Sequence, residues 1–253
     1  MKLHSLFFTI VFCCCAQAQT ISVAITDWPP FYSKNFKDGG TQFSLISKVF
    51  NKMGADIEPI WYRTGAGALV KLRAGLINTA AGWECTSERA QFALFSDPIG
   101  VENTVVFHHR DLDLDWSAIK TANQAMVIGI TARYAYGEGL ENLLKIKNTQ
   151  VEVAGSDRHN LDLLFNRKID LFIVDKSVGI QLLAESAELR RKNIRFDPSP
   201  IRKNPIANRL LVSIKMPNAQ SFLKKFNARL KTIREDKKLD ELNPDNFSKC
   251  VDN

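Results

Sequence analysis

Residues 82–98 read Gly-Trp-Glu-Cys-Thr-Ser-Glu-Arg-Ala-Gln-Phe-Ala-Leu-Phe-Ser-Asp-Pro, and this stretch decides the fold. It follows a β-like run at residues 76–81. Thr86 is a candidate helix N-cap, which places Arg89 in the first helical turn. Backbone N–H groups are unpaired there and the helix end is partly positive, so the guanidinium faces a position that suits a carboxylate. A surface arginine on an ordinary helix start explains the same residues equally well.

The order of elements around this stretch predicts a parallel α/β sheet. Alternating apolar residues predict a strand at residues 21–25, and apolar residues at helical spacing predict a helix at residues 43–53. A second strand at residues 57–62, a helix that ends near Gly75 and the strand at residues 76–81 complete a β-α-β-α-β unit.

The second half of the chain repeats this style. Strands are predicted at residues 126–130, 151–153 and 169–174, with a helix at residues 157–167. The last of these strands ends at Asp175. An acid at this position suits a ligand ammonium, and it also suits the N-cap of the helix that follows. The two roles are compatible.

Two motifs resemble the extracytoplasmic solute-binding proteins of family 3, the polar amino-acid receptors of ABC importers. One is Thr-x-Glu-Arg, which ends at Arg89 and is followed after six residues by Ser-Asp-Pro. The other is Trp-Pro-Pro-Phe at residues 28–31, which resembles the first-loop motif of the family. The resemblance covers nearly the whole chain after residue 20.

The resemblance implies an α/β, two-lobed, periplasmic-binding-protein-like (type II) fold with two hinge crossings. Residues 1–18 would be a signal peptide, residues 19–105 and 207–253 lobe 1, and residues 106–206 lobe 2. The ligand would lie in the cleft, where open α/β sheets place their ligands.

The resemblance also implies the ligand-binding residues. Arg89 would hold a carboxylate and Asp175 an ammonium, while Trp28 would pack on the ligand side chain. Independently of the resemblance, we expect Trp83 beside Arg89 to add a second aromatic wall against the ligand side chain. The backbone near Gly82 and Thr86 would complete the pocket of lobe 1. From lobe 2, the turn at residues 131–137 would contribute backbone N–H groups and Tyr134, and Arg133 either adds a second cation or faces solvent.

The sequence departs from the family pattern at two places. The family has small hydroxyl residues before its Thr-x-x-Arg, whereas this chain has Gly82, Trp83 and Glu84. In the second-lobe turn, Ala132 and Arg133 replace a glycine and a hydroxyl residue. The ligand is therefore a carboxylate-bearing solute, an amino acid or a derivative, that need not be an ordinary amino acid.

The N-terminus predicts secretion to the periplasm. Lys2 is followed by an apolar run and by Ala16-Gln17-Ala18, the pattern of a signal peptide and its cleavage site. Cys13, Cys14 and Cys15 lie within this signal, so two cysteines remain, Cys85 and Cys250. An even pair in an oxidising compartment predicts a disulfide, and two buried thiols are the alternative.

Charge and histidine patterns indicate which classes of function the sequence does not favour. The net charge of +7 comes from scattered lysines and arginines, and no motif for binding nucleic acid is recognised. His108 and His109 are adjacent, so on a strand they point apart and make a poor metal pair. We expect them at the surface, and we expect no metal and no cofactor.

The sequence thus predicts a monomeric binding protein, not an enzyme, that delivers its small-molecule ligand to an ABC-transporter permease. Two alternatives remain. A cyclohexadienyl dehydratase-like enzyme on the same fold would need a cleft acid or base, for which Glu84 or Asp175 are candidates. A ligand-sensing module that acts in trans on a membrane protein is the other.

Overall fold

The computed structural model describes residues 19–114, 125–202 and 205–247. The predicted signal peptide and Cys250 lie outside these residues, so the signal and the pairing of Cys85 with Cys250 stay predictions. The strands are β1 (Gln19–Thr26), β2 (Ala55–Tyr62), β3 (Thr79–Trp83), β4 (Ala93–Phe95), β5 (Gly100–Glu102), β6 (Thr104–His109), β7 (Met126–Thr131), β8 (Thr149–Ala154), β9 (Leu171–Asp175), β10 (Ile194–Asp197) and β11 (Ile206–Ser213).

The helices alternate with these strands as the sequence predicts. They are α1 (Thr41–Lys52), α2 (Gly65–Ala74), α3 (Ser87–Ala90), α4 (Gly137–Leu144), α5 (Asp157–Phe165), α6 (Lys176–Ala184), α7 (Glu188–Asn193) and α8 (Ala219–Lys237), followed by short 3₁₀ turns at Asp240–Leu242 and Pro244–Asn246. None of the helices within the described ranges has the length and apolar character needed to cross a membrane.

The strands form two mixed sheets with the same internal plan. The first sheet has the order β2-β1-β3-β11-β4, and β5 also pairs with β11. The second has the order β10-β6-β9-β7-β8. In each, three parallel strands meet one antiparallel strand that arrives from the other half of the chain, β11 in the first sheet and β6 in the second. The two-lobed fold predicted from the sequence is confirmed.

The chain changes sheet twice. Asn103 separates β5, which pairs with β11, from β6, which pairs with β9 and β10. The return passes between β10 and β11. We refer to the first sheet with its helices as lobe 1 and to the second as lobe 2. The exact lobe bounds remain the predicted ones.

The core of lobe 1 lies between its sheet and helices α1 and α8. Phe50 of α1 is fully buried, and its ring lies 5.7 Å from that of Phe226 on α8. Helix α2, on the other side of the same sheet, begins at the N-cap Thr64, whose side chain accepts from the Gly67 N–H, and ends at Gly75 with a left-handed φ of 76°. The sequence predicted that this helix ends near Gly75.

Strand β3 is displaced from its predicted position at residues 76–81. Leu76 is 68% exposed, and the strand begins at Thr79, where pairing with Val23 of β1 starts. Pairing with β11 extends the strand to Trp83, opposite Arg209. The partner strands, which are distant in sequence, set these bounds.

The prediction that His108 and His109 lie at the surface is wrong. They are 3% and 8% exposed, because β6 is an interior strand covered by helices. The His109 Nε2 lies 3.1 Å from the backbone carbonyl of Leu164 at the end of α5. Burial lowers the pKa of His108.

Phe107 occupies the centre of lobe 2. It is fully buried, with its ring 5.3 Å from Phe196 and 6.4 Å from Phe172. On its remaining side is Gly179 of α6, where a Cβ atom would lie 2.2 Å from the Phe107 ring.

We expect Phe107→Ala to lower the free energy of unfolding by about 3–5 kcal/mol, because it removes buried contacts and leaves a cavity. Urea denaturation followed by circular dichroism measures this. Leu189→Ala, at a residue that is 61% exposed, is the control and should cost less than about 0.5 kcal/mol. Equal effects for the two variants would contradict this account of the core.

Candidate functional site

The first component of the site is the loop at the C-terminal end of β3. Gly82 has a φ of 83°, and a Cβ atom there would lie 2.8 Å from the Tyr32 ring, so both backbone and space require glycine. Thr86 is the N-cap of α3, as predicted, and accepts from the Arg89 N–H at 3.3 Å. This cap places Arg89 in the first turn.

Arg89 is held by the same loop that it follows. Its guanidinium carbon lies 4.8 Å from the centre of the Trp83 ring, and its Nη1 donates to the backbone carbonyl of Glu84 at 2.7 Å. Burial lowers the pKa of Arg89, and the acids Glu84, Glu88 and Glu102 oppose this shift. Within the described ranges, this is the only hydrogen bond formed by the guanidinium, so its other N–H groups remain for a carboxylate.

The second component is the turn that follows β1. The Trp28 N–H donates to the Tyr32 carbonyl at 2.8 Å, which closes the turn. The Trp28 ring lies 4.8 Å from Phe31 of the same turn and 6.3 Å from Tyr134 of lobe 2. Trp28 therefore reaches across from lobe 1 to lobe 2.

Lobe 2 contributes Asp175 from the end of β9. Its Oδ1 accepts from the backbone N–H groups of Ser177 at 2.7 Å and Val178 at 3.1 Å, so it caps α6. Its Oδ2 accepts from the N–H of Asn103, at the first crossing, at 2.8 Å. The N-cap interpretation is confirmed. Burial raises the pKa of Asp175, and these N–H groups oppose the shift.

Residues at the end of β7 and in the turn after it contact a buried acid, Asp157 at the start of α5, which the sequence did not identify. Asp157, 8% exposed, accepts from Thr131 Oγ1 at 2.5 Å and from the Tyr134 hydroxyl at 2.9 Å. Burial raises its pKa. Tyr134 thus touches both Trp28 and Asp157. Arg133 has a left-handed φ of 68° and an exposed side chain, so its predicted ligand contact stays a prediction.

Two further charged residues, Glu102 and Arg202, lie where the lobes meet. Arg202 precedes the second crossing, and both its Nη1 and Nη2 lie 3.3 Å from Oε1 of Glu84 in lobe 1. The side chains of this pair are 17% and 23% exposed. Glu102 ends β5 beside the first crossing. Neither residue belongs to a recognisable motif, so no sequence signal identified them.

The carboxyl group of Glu102 has a strongly raised pKa. Burial raises its pKa to about 8, with Asp175 and Glu84 adding to the shift and Asn208 and Arg202 opposing it. Its charge in turn raises the pKa of Arg89.

The described residues contain no group of three or more His, Cys, Asp or Glu side chains with the geometry of a metal site. A groove of about 350 Å³ lies elsewhere, between α1, β5 and the C-terminal turns, on lobe 1 alone. It is lined by Phe31 of the turn after β1, but not by Arg89, Trp28 or Asp175.

Two α/β lobes, joined by crossing strands with charged side chains at their strand ends, define a periplasmic-binding-protein fold of type II. The model of the bacterial extracellular solute-binding proteins, family 3, matches residues 21–249, and the chain belongs to this family. None of the curated proteins searched matches the sequence.

Solved structures agree with this assignment. The substrate-binding protein of an amino acid ABC transporter is 20% identical, covers 91% of this chain and 100% of its own, and superposes with a TM-score of 0.68. A putative ABC-transporter binding component from Wolinella succinogenes, complexed with lysine, is 17% identical over 92% and 96%, with a TM-score of 0.71. An ancestral amino acid-binding protein, a precursor of cyclohexadienyl dehydratase, is 16% identical over 90% and 95%, with a TM-score of 0.68. At these identities the likeness concerns the fold.

The raised pKa of Glu102 makes stability depend on pH. Between about pH 4.5 and 8 the Glu102 carboxyl group is deprotonated in the unfolded chain and protonated in the folded protein. As the pH rises through this range, the free energy of unfolding therefore falls by up to about 1.4 kcal/mol per pH unit. We expect Glu102→Gln to remove this contribution.

Urea midpoints at pH 5, 6, 7 and 8 measure the effect as the difference between the wild type and the variant. Glu58→Gln, at an exposed glutamate of β2, is the control. A constant difference between the wild type and Glu102→Gln across this range would show that Glu102 titrates normally.

Proposed function

We propose that this protein captures a small carboxylate-bearing solute, an amino acid or a derivative, in the cleft between its lobes for an ABC importer. The observation that carries the proposal is that two contacts join the lobes beside Arg89: the Trp28 ring lies 6.3 Å from the Tyr134 ring, and Arg202 pairs with Glu84, whose backbone carbonyl accepts from Arg89. A zwitterion matches an opposed guanidinium and carboxylate.

Each lobe has a distinct role in this proposal. Arg89 binds the solute carboxylate, with backbone groups near Gly82 and Thr86, while Trp28 and Trp83 pack on the solute side chain. The carboxylate of Asp175 accepts from the solute ammonium. Arg133 and Tyr134 complete the site from lobe 2.

Because the contacts come from both lobes, the solute stabilises the closed arrangement of the hinge. We propose that the protein acts as a periplasmic monomer after removal of its signal peptide, and that its partner is the membrane permease. A bridge between Cys85 and Cys250 would tie the C-terminus to the loop that carries Arg89.

A thermal-shift screen of amino acids and small carboxylic acids identifies the solute, since a ligand at about 100 times its Kd adds about 2.7 kcal/mol of stability. We expect Arg89→Ala to weaken binding of that solute by about 10-fold to 150-fold, because the substitution removes one charge-assisted hydrogen-bonding partner.

Isothermal titration calorimetry measures the loss. Arg229→Ala, at an exposed arginine of α8, is the control and should bind like the wild type. Unchanged affinity in Arg89→Ala would remove this residue from the site.

A dehydratase is the second candidate, because Glu102 is a carboxyl group with a pKa of about 8 and therefore holds a proton that a general acid needs. One protein of similar structure is an ancestral amino acid-binding protein that is a precursor of cyclohexadienyl dehydratase. We expect no turnover of prephenate or arogenate by the wild type, followed by absorbance. Turnover that disappears in Glu102→Gln would favour the enzyme.

A further inference from the structure

One end of lobe 1 combines exposed apolar and basic side chains. Leu76 follows α2 and Ile214 follows β11, and both are at least half exposed. Lys71 and Arg73 lie in the last turn of α2 and Lys215 follows β11, and these three side chains are exposed as well. We call these five residues the end patch. It lies where β3 begins, whereas the candidate ligand site follows the opposite end of β3.

The fold holds the two segments of the end patch together. The Ile214 N–H donates to the Phe92 carbonyl at 3.2 Å, and the Phe92 ring lies 5.6 Å from the guanidinium carbon of Arg73. At Gly75, which ends α2, a Cβ atom would lie 2.9 Å from the Cβ of Lys215. The chain after α2 and the chain after β11 therefore lie side by side, and their exposed side chains share one surface.

The two segments that build the end patch contain no acid. The sequence has no Asp or Glu between Glu58 and Glu84, and none between Asp197 and Glu235. Within the described ranges, no cation of the end patch forms an ion pair. The positive charge of this surface is therefore not balanced locally.

Lobe 2 provides a contrasting surface. Leu189 of α7 is also exposed and is followed by basic residues, but these have acidic partners. Arg190 pairs with Asp162, and Lys192 pairs with Glu188. An exposed apolar residue beside unpaired cations is thus a property of the end patch and not of this helix.

The composition of the end patch matches the surface of an anionic lipid bilayer. Basic side chains attract the phosphate groups of lipids, and apolar side chains of a surface-bound protein enter the boundary between headgroups and acyl chains. An acidic protein surface would match the cations alone. Leu76 and Ile214, which project from the surface, favour the bilayer.

We propose that the end patch docks this protein on a bilayer that contains anionic phospholipid. The three cations contact lipid phosphates, and Leu76 and Ile214 insert between the headgroups. The proposal goes beyond the proposed function and does not depend on it, because the end patch and the candidate ligand site lie at opposite ends of β3. Docking concentrates the protein at the membrane, where a permease lies.

Co-sedimentation with vesicles tests the proposal, using the protein without residues 1–18. We expect binding to vesicles of equal parts phosphatidylglycerol and phosphatidylcholine, and much weaker binding to vesicles of phosphatidylcholine alone. Added salt should weaken binding, because it screens the attraction between the cations and the phosphates. Absence of binding to the phosphatidylglycerol vesicles overturns the proposal.

Replacing all three cations of the end patch with Gln should weaken this binding about 100-fold, because each cation near an anionic surface contributes about fivefold. The matched control combines Lys145→Gln, Lys147→Gln and Lys168→Gln, three exposed positions of lobe 2 that remove the same charge. Equal losses in the two variants would mean that net charge drives binding, which overturns the assignment to the end patch. Circular dichroism melting verifies that both variants fold.

The double variant Leu76→Asn and Ile214→Asn keeps every charge and tests insertion. We expect it to weaken binding to the phosphatidylglycerol vesicles by about tenfold or more, because two apolar side chains are lost from the headgroup boundary. Leu189→Asn is the control and should bind like the wild type. Unchanged binding in the double variant overturns insertion by the end patch.

A second probe separates a bilayer from an acidic protein partner. Beads that carry poly-L-glutamate present carboxylates without a lipid layer. If the wild type binds these beads but binds no vesicle, and the triple Gln variant of the end patch binds neither, the end patch recognises an acidic protein surface and the membrane proposal is overturned. Vesicle binding that exceeds bead binding supports the proposal.

Discussion

The hydrogen bonds that the Asp175 carboxylate accepts are the interactions on which the junction of the two lobes depends. It caps α6 through two backbone N–H groups and holds the N–H of Asn103 at the point where the chain passes from lobe 1 to lobe 2. A side chain at the end of one strand therefore fixes the neighbouring crossing strand. Because the same carboxylate faces the junction between the lobes, the geometry of the hinge and that of the site are set together.

The sequence predicted those features that depend on local physical chemistry. Thr86 and Asp175 are helix N-caps, and Gly75 ends α2. These residues could be predicted because a cap depends only on the unpaired backbone groups and the φ angle at one end of one helix. The alternation of strands and helices was readable from apolar periodicity for the same reason. The two-lobed architecture came from matching two short motifs to a family.

The features that the sequence did not predict depend on contacts between distant parts of the chain. Glu102, Arg202 and Asn208 lie in no motif, and only the pairing of β5 with β11 and the return of the chain at the second crossing bring them to one place. His108 and His109 were misplaced because a polar pair after an apolar run looks like the end of a strand, whereas β6 continues through both residues and is interior in the sheet. Strand β3 was misplaced because partner strands set its ends.

The contact between Glu84 and Arg202 joins the loop that holds Arg89 to the chain just before the second crossing. Its side chains keep some contact with water, so dissolved ions weaken their attraction. The free energy needed to separate the two lobes at this contact therefore falls as the ionic strength of the medium rises.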